Sequence, residues 1–182
     1  FVISLVLLII SLGFKSYLFD FNLYKKELTK LNVYEKIPDA DEHVSNLIKY
    51  MHGREELNDF YNEKEKLHLQ DVKNLFKKSI LIFNITLILT ILFLMYFIYT
   101  KNYKIIYSSF LISGLIVILL VLLFFIIDFD YFFIKFHFIA FNNDLWQLNP
   151  NEDNLINLFP QELQYNIAKR IFTNILIISL IL

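Results

Sequence analysis

Two apolar runs without a single charge, residues 79–100 and 105–127, decide most of what this chain can fold into. Each is as long as the roughly 20 residues a helix needs to cross a hydrocarbon core about 30 Å thick. Inside such a core a backbone must satisfy its own N–H and C=O groups, which a helix does. Two weaker stretches flank the pair. Residues 1–19 are interrupted only by Lys15, which can snorkel from near the end of a span. Residues 171–182 are too short to cross as they stand and read as the start of a fourth span. The expectation is an all-α, polytopic membrane protein. The chain opens without a methionine and stops inside an apolar run, so both ends are expected to be cut, and residues 1–12 lack the flank that would mark a signal peptide.

Composition narrows the function classes. Hydrophobic residues make up 57% of the chain, and the 3 glycines and 3 prolines leave room for long helices. With no cysteine, disulfide frameworks, Cys-zinc sites and thiol nucleophiles are excluded together. A net charge of −1 supplies no basic field for nucleic acid, and none is expected as a partner.

The segments between the spans carry the polar chemistry. Residues 101–104 form a short turn with Lys101 and Lys104 and no acid, which the positive-inside rule places in the cytoplasm. Segments 20–78 and 128–170 then face the opposite side. Lys73, Lys77, Lys78, Lys169 and Arg170 flank the other ends of the spans, so charge by itself leaves the topology open. Segment 20–78 interleaves both signs of charge, the pattern of solvated helix faces. Pro38-Asp39-Ala40-Asp41 reads as a turn before a helix, and Met51-His52-Gly53 as a break. From about Arg54, the spacing of Leu57, Phe60, Tyr61, Lys64 and Leu67 predicts a long helix running on into the span at 79–100. Segment 128–170 opens on seven aromatic residues between Phe129 and Phe141, which suit a half-immersed helix, and Pro150 and Pro160 punctuate its remainder.

Two histidines stand at the mouths of spans. Glu65, His68 and Asp71 recur at i, i+3 and share a helix face. A carboxylate one turn from an imidazole can fix its tautomer and raise its basicity, although the same spacing also describes a solvated charged face. His137 lies in an apolar stretch, where a polar group needs either a backbone carbonyl or a chemical task. His43 and His52 sit in polar surroundings with no acid at helical spacing that singles them out. No HExxH or paired-histidine spacing occurs, so no metal is expected. No G-x-S-x-G elbow occurs either, and Ser4, Ser11, Ser108, Ser109, Ser113 and Ser179 lie in or beside spans. The spans hold almost no ionisable group to mark a transport path. Asn84, Thr86 and Ser113-Gly114 are read as helix-packing residues.

Together, EKLHLQDVKNLF leading into a span, a Lys-flanked turn, a second span and FHFIAFNNDLWQLNPNEDNLINLFP resemble the lipoprotein intramolecular transacylase (Lit) family of bacterial membrane proteins. The second block is the more specific, with Phe136-His137, Phe141-x-x-Asp144-x-Trp146, Pro150, Asp153-x-Leu155-Ile156 and Pro160. The resemblance implies four transmembrane helices with a small helical extracellular cap. Spans would occupy 1–19, 79–100, 105–127 and 171–182, the cap 20–78 and 128–170, and the cytoplasmic turn 101–104. It also implies a multi-pass cell-membrane acyltransferase whose site faces outward, with a diacylated lipoprotein as substrate, membrane lipids as surroundings and no cofactor. Such enzymes move the sn-2 acyl chain of the S-diacylglyceryl group to the α-amine of the N-terminal cysteine, leaving the lyso form. The nucleophile is then the substrate's amine, and no protein serine or cysteine is required. On this reading His68 is a general base oriented by Asp71 or Glu65, and His137 stabilises the oxyanion, with the two roles open to exchange. Glu65, Phe136 and Phe141 would contact substrate, while Asn142, Asn143, Asp144 and Trp146 would shape the headgroup pocket. A metal-dependent membrane hydrolase and a non-catalytic membrane scaffold remain as alternatives at this point.

Overall fold

The computed structural model describes residues 1–17 and 19–181, and among these the regular structure is helical throughout. In chain order the α-helices are α1 (Val2–Tyr17), α2 (Phe21–Lys30), α3 (Ala40–Met51), α4 (Glu63–Tyr99), α5 (Tyr103–Ile126), α6 (Phe129–Ala140), α7 (Asn154–Leu158) and α8 (Gln161–Ile181), with a single 3₁₀ turn at Val33–Glu35. Two of them, α4 and α5, are long and apolar enough to cross a membrane, and α1 is apolar but shorter. The chain divides into two compact units. One consists of Phe1–Ser16, Lys77–Phe132 and Lys169–Leu182, the other of Tyr17–Phe76 and Phe133–Ala168.

The first unit is built from apolar helices that meet on small residues. A Cβ placed on Gly13 would collide with the Ile175 side chain, and one on Gly114 would lie 3.1 Å from the Ser179 carbonyl. Ser113 is fully buried, and its hydroxyl donates to the carbonyls of Ser109 (2.6 Å) and Val2 (3.2 Å). Thr86 is buried and returns its hydroxyl to Ile82. These are the close approaches and internally satisfied hydroxyls that hold helices together in hydrocarbon. Asn84, also expected to pack, is exposed instead. Phe124 and Phe172 stack at 3.8 Å, with Phe14 and Phe132 edge-on to Phe172. Outward, Leu81, Ile88, Leu92 and Met95 of α4 and Leu115 and Leu119 of α5 are exposed. A core helix of a water-soluble domain would bury these side chains, whereas a lipid-facing helix leaves them bare.

Helix ends in this chain are set by specific hydrogen bonds. The turn after α4 closes with Lys101 N–H on the Ile98 carbonyl and Asn102 N–H on the Phe97 carbonyl, with Lys101 in the left-handed region at φ 56°. This 6→1 and 5→2 pair is a Schellman cap. Gly53, at φ 72°, closes α3 in the same way through the Tyr50 and Lys49 carbonyls.

The second unit packs α2 against α3 over Leu28, Ala40 and Val44, each 0% exposed. Here the structure corrects one expectation. The helix read from about Arg54 begins at Glu63, so α4 does run on into the apolar run but starts nine residues later. Residues 54–61 are a strap tied to α3. The Asn46 amide donates to the Glu56 carbonyl and accepts from Asn58 N–H, and Lys49 pairs with Glu55 at 2.7 Å. Tyr61 is 1% exposed and its hydroxyl donates to the His43 carbonyl. The apolar spacing of the strap is therefore that of residues plugging a core, and it coincides with a helical period. The last helix also begins earlier than the apolar run at 171, with α8 starting at Gln161 just after Pro160.

Candidate active site

The first turns of α4 are fixed by a capping box. Asn62 accepts Glu65 N–H at 2.9 Å through its side-chain oxygen, and Glu65 accepts Asn62 N–H at 2.6 Å, so two orphan donors of the helix start satisfy each other's side chains. The other Glu65 oxygen accepts Leu155 N–H in α7. Glu65 is 0% exposed. Burial pushes its carboxyl above the ordinary range, against the opposing pull of the Leu155, Asn62 and Asn154 N–H groups. Both oxygens of this residue, expected to contact substrate or orient His68, thus accept from backbone N–H groups.

A second carboxylate completes this latch. Asp153 is buried and accepts from Asn149 N–H (2.7 Å), the Asn62 amide (2.8 Å) and the Lys64 ammonium (3.2 Å). Burial opposes its ionisation, but those three donors outweigh it and hold the carboxyl below its ordinary value. Lys64 also donates to the Gln147 carbonyl at 2.8 Å, and the Asn143 amide donates to Asp71 at 2.9 Å. The first turns of α4 thus hold the 143–155 segment at several points along its length. Asn62, Lys64 and Asp153 were not singled out as site-forming residues, although the Asn62-x-x-Glu65 spacing carries the capping-box signal.

One turn beyond Glu65, His68 faces His137 across a ring-centroid distance of 6.3 Å. Both are buried, at 7% and 8% exposure. Phe141, itself buried, sits 5.2 Å from His68 and 5.6 Å from His137. Phe133 (4.1 Å), Trp146 (4.9 Å) and Phe136 (5.4 Å, edge-on) complete the cage around His137, and Phe136 is otherwise exposed. The 133, 137, 141 series is a helical stripe at successive turns of α6 and its end. Asn142, Asn143 and Asp144 are exposed on the segment after α6, where the Asp144 side chain accepts from the Gln147 amide.

Hydrogen bonding distinguishes the two imidazoles. His137 Nδ1 lies 2.7 Å from the Phe133 carbonyl. A carbonyl only accepts, so Nδ1 carries the proton and Nε2 keeps its lone pair in the neutral ring. The His68 Nδ1 is buried without a hydrogen-bond partner among the described residues. The His68 Nδ1 does not donate to Asp71, whose carboxylate accepts from the Asn143 amide. Burial, with a smaller push from neighbouring His137, lowers the His68 pKa to about 4. Burial also lowers that of His137, partly countered by the Phe133 carbonyl. Both rings are neutral at pH 7.

The other two histidines lie apart from this pair. His43 does have an acid at helical spacing, contrary to the sequence reading: its Nε2 is 3.2 Å from Asp39, and its ring stacks on Phe60 at 3.7 Å. His52 returns its Nδ1 to the Ile48 carbonyl. Among the described residues no group of three or more His, Asp or Glu is placed to hold a metal ion.

Chemically, the cage offers one imidazole with an oriented lone pair and one neutral imidazole, surrounded by aromatic faces, with no serine hydrogen-bonded to either ring among the described residues. The family model "Lipoprotein intramolecular transacylase Lit" matches residues 1–163. The solved in meso structure of the membrane-integral lipoprotein intramolecular transacylase Lit from Bacillus cereus superposes with a TM-score of 0.84 at 23% identity, covering 99% of this chain and 87% of that one. Two histidine-substituted forms of the Bacillus cereus protein were also matched at 23% identity. The form with arginine gives a TM-score of 0.76, covering 98% of this chain and 83% of that one. The form with alanine gives 0.77, with 99% and 86% covered. At this identity the structures establish the fold. Among curated proteins none matches the chain by sequence. With 163 of its residues matched by the family model, the chain belongs to the lipoprotein intramolecular transacylase family and is an acyltransferase.

Proposed function

We propose that this enzyme transfers the sn-2 acyl chain of a lipoprotein's S-diacylglyceryl group to the α-amine of the same molecule's N-terminal cysteine. The products are an N-acylated lipoprotein and a free glyceryl hydroxyl, the lyso form. One observation carries the site assignment: the two histidines, 69 positions apart in sequence, share a single buried aromatic cage. His137 is the general base. Its Nε2 lone pair takes a proton as the amine attacks the ester carbonyl carbon, and returns it to the glyceryl oxygen as the C–O bond breaks. His68, kept neutral by burial, polarises that carbonyl as a hydrogen-bond donor, as a neutral imidazole does in other acid–base sites. This exchanges the roles first expected for the two rings. Nucleophile and ester belong to one substrate, so holding the reactive conformer supplies much of the acceleration, with effective molarities of about 10⁵–10⁸ M attainable.

Phe136 and Phe141 line the acyl path, and Asn142, Asn143 and Asp144 shape the headgroup side. Glu65 acts through the latch, and Asp71 acts by positioning Asn143. In the same reading the chain crosses the cell membrane four times, at 1–19, 79–100, 105–127 and 171–182. The 101–104 turn is cytoplasmic, and segments 20–78 and 128–170, which carry the site, face the extracellular side as a small helical cap. Mass spectrometry of a lipoprotein N-terminus in cells expressing wild type, His68→Ala or His137→Ala tests the assignment. Each substitution is expected to lower conversion to the lyso form by about 10²–10⁴-fold. Conversion by both variants at the wild-type rate would remove the two histidines from the mechanism.

A further inference from the structure

Only four buried side-chain polar atoms lack a hydrogen-bond partner among the described residues: Asn58 Oδ1, His68 Nδ1, Thr90 Oγ1 and Trp146 Nε1. Buried polar atoms of this kind are uncommon, and each calls for an explanation. Two of the four belong to the histidine cage. The His68 nitrogen has its place in the acyl-transfer chemistry already described. Trp146 Nε1 does not, and an indole N–H has no use but donation.

Its setting is specific. The indole packs on His137 at 4.9 Å between centroids and meets Phe138 edge-on at 5.2 Å. Neighbouring residues hold the segment that carries it. Asn143 is bonded to Asp71, the Gln147 carbonyl to Lys64, and Asn149 N–H to Asp153. The ring is therefore set against the proposed base by bonds on both sides, while its own donor is unused. A structural tryptophan has every reason to satisfy that N–H, since a buried donor left without a partner is destabilising. A preorganised donor for charge that develops only during reaction has the opposite requirement, to stay unpaired until then.

We propose that Trp146 is a catalytic residue, its Nε1–H donating to the oxyanion of the tetrahedral intermediate beside His68. The inference rests on the acyl-transfer reading given above. In that step the amine nitrogen bonds to the ester carbonyl carbon, the C=O π pair moves onto oxygen, and His137 Nε2 takes the amine proton. The carbonyl oxygen is one bond from the attacked carbon, and the indole that would serve it packs on His137 at 4.9 Å between centroids. On collapse the pair returns to re-form C=O, the glyceryl C–O bond breaks, and His137 protonates the leaving oxygen.

Trp146→Phe removes the donor and keeps an aromatic face. The measurement is kcat and KM for conversion of a synthetic diacylated lipopeptide by purified enzyme in vesicles, with wild type and His137→Ala in parallel. The variant is expected to lose about 10²–10³-fold in kcat with KM within a few-fold of wild type, the pattern of a lost oxyanion donor. A kcat within threefold of wild type, with His137→Ala inactive, overturns the role of Trp146 and leaves the acyl-transfer reading standing. No conversion by wild type overturns both. The chain has a single tryptophan, so its indole ¹H–¹⁵N resonance provides a second test that does not depend on the variant folding. A lipopeptide with a tetrahedral phosphonate in place of the sn-2 ester is expected to move that proton downfield. An unmoved resonance on saturating, competitive binding overturns the proposal.

Discussion

The two imidazoles of the cage are alike in burial and differ in what their nitrogens touch. The His137 Nδ1–H donates to the Phe133 carbonyl, which leaves Nε2 as the basic atom, whereas the His68 Nδ1 has no partner and its ring meets His137 and Phe141. Both pKa values lie below the ordinary 6.5, that of His68 at about 4. The enzyme is therefore ready as a base throughout the neutral range, and the rate follows the substrate. An N-terminal α-amine titrates at about 7.7–8.0 and attacks only when neutral. Initial rates at low substrate are expected to climb from pH 6.5 to about 8 with no descending limb. A fall in rate over that interval would show that a protonated histidine is needed. The same shift has a stability consequence. His68 binds its proton more weakly folded than unfolded, so stability is full above about pH 6.5 and declines as pH falls toward 4. The full effect is about 3 kcal/mol. Thermal unfolding at pH 7.5 and 4.5 should show a smaller acid penalty in His68→Phe than in wild type. Equal penalties would mean that His68 is not buried as described.

At the scale of elements, the start of α4 matters most, because it positions His68 and anchors the segment that carries Trp146. Asn62 caps the helix, is capped in return by Glu65 and donates to Asp153. Asn62→Ala should cost about 1 kcal/mol, within the usual 0.5–2 for a lost N-cap, and Asn62→Ser should recover most of it. Chemical denaturation measures both, and an unchanged midpoint in Asn62→Ala would show the box to be dispensable. This region also shows what the sequence could and could not reveal. The apolar runs behind α4 and α5 were legible because lipid imposes length and an uncharged composition. The strap at 54–61 was not. Leu57, Phe60 and Tyr61 keep a helical spacing although Asn46 and Lys49 hold their backbone in a non-helical course, and periodicity does not register such distant side-chain bonds. The Asn143–Asp71 bond was not legible either. Spacing places Asp71 and His68 on one face, but it does not register Asn143, 72 positions away, which donates to that carboxylate. The His43–Asp39 pair, by contrast, is legible in the sequence as a plain i, i+4 spacing.

For the molecule as a whole, the helical fold and the family were both readable in advance, since two ordered motif blocks flank an unambiguous pair of apolar runs. That the blocks meet was an inference from antiparallel spans, and the structure replaces it with a distance of 6.3 Å between imidazoles. The site lies wholly within the unit formed by Tyr17–Phe76 and Phe133–Ala168. The central claim is direct transfer within one substrate, with histidines as proton carriers and no acyl-enzyme. Its most direct test is to follow a ¹³C-labelled sn-2 acyl chain by tandem mass spectrometry, after incubating a diacylated lipopeptide with the purified enzyme in vesicles. The account predicts that all transferred label appears in the amide at the N-terminal cysteine. Label released as free fatty acid, or found covalently attached to the protein, would contradict it.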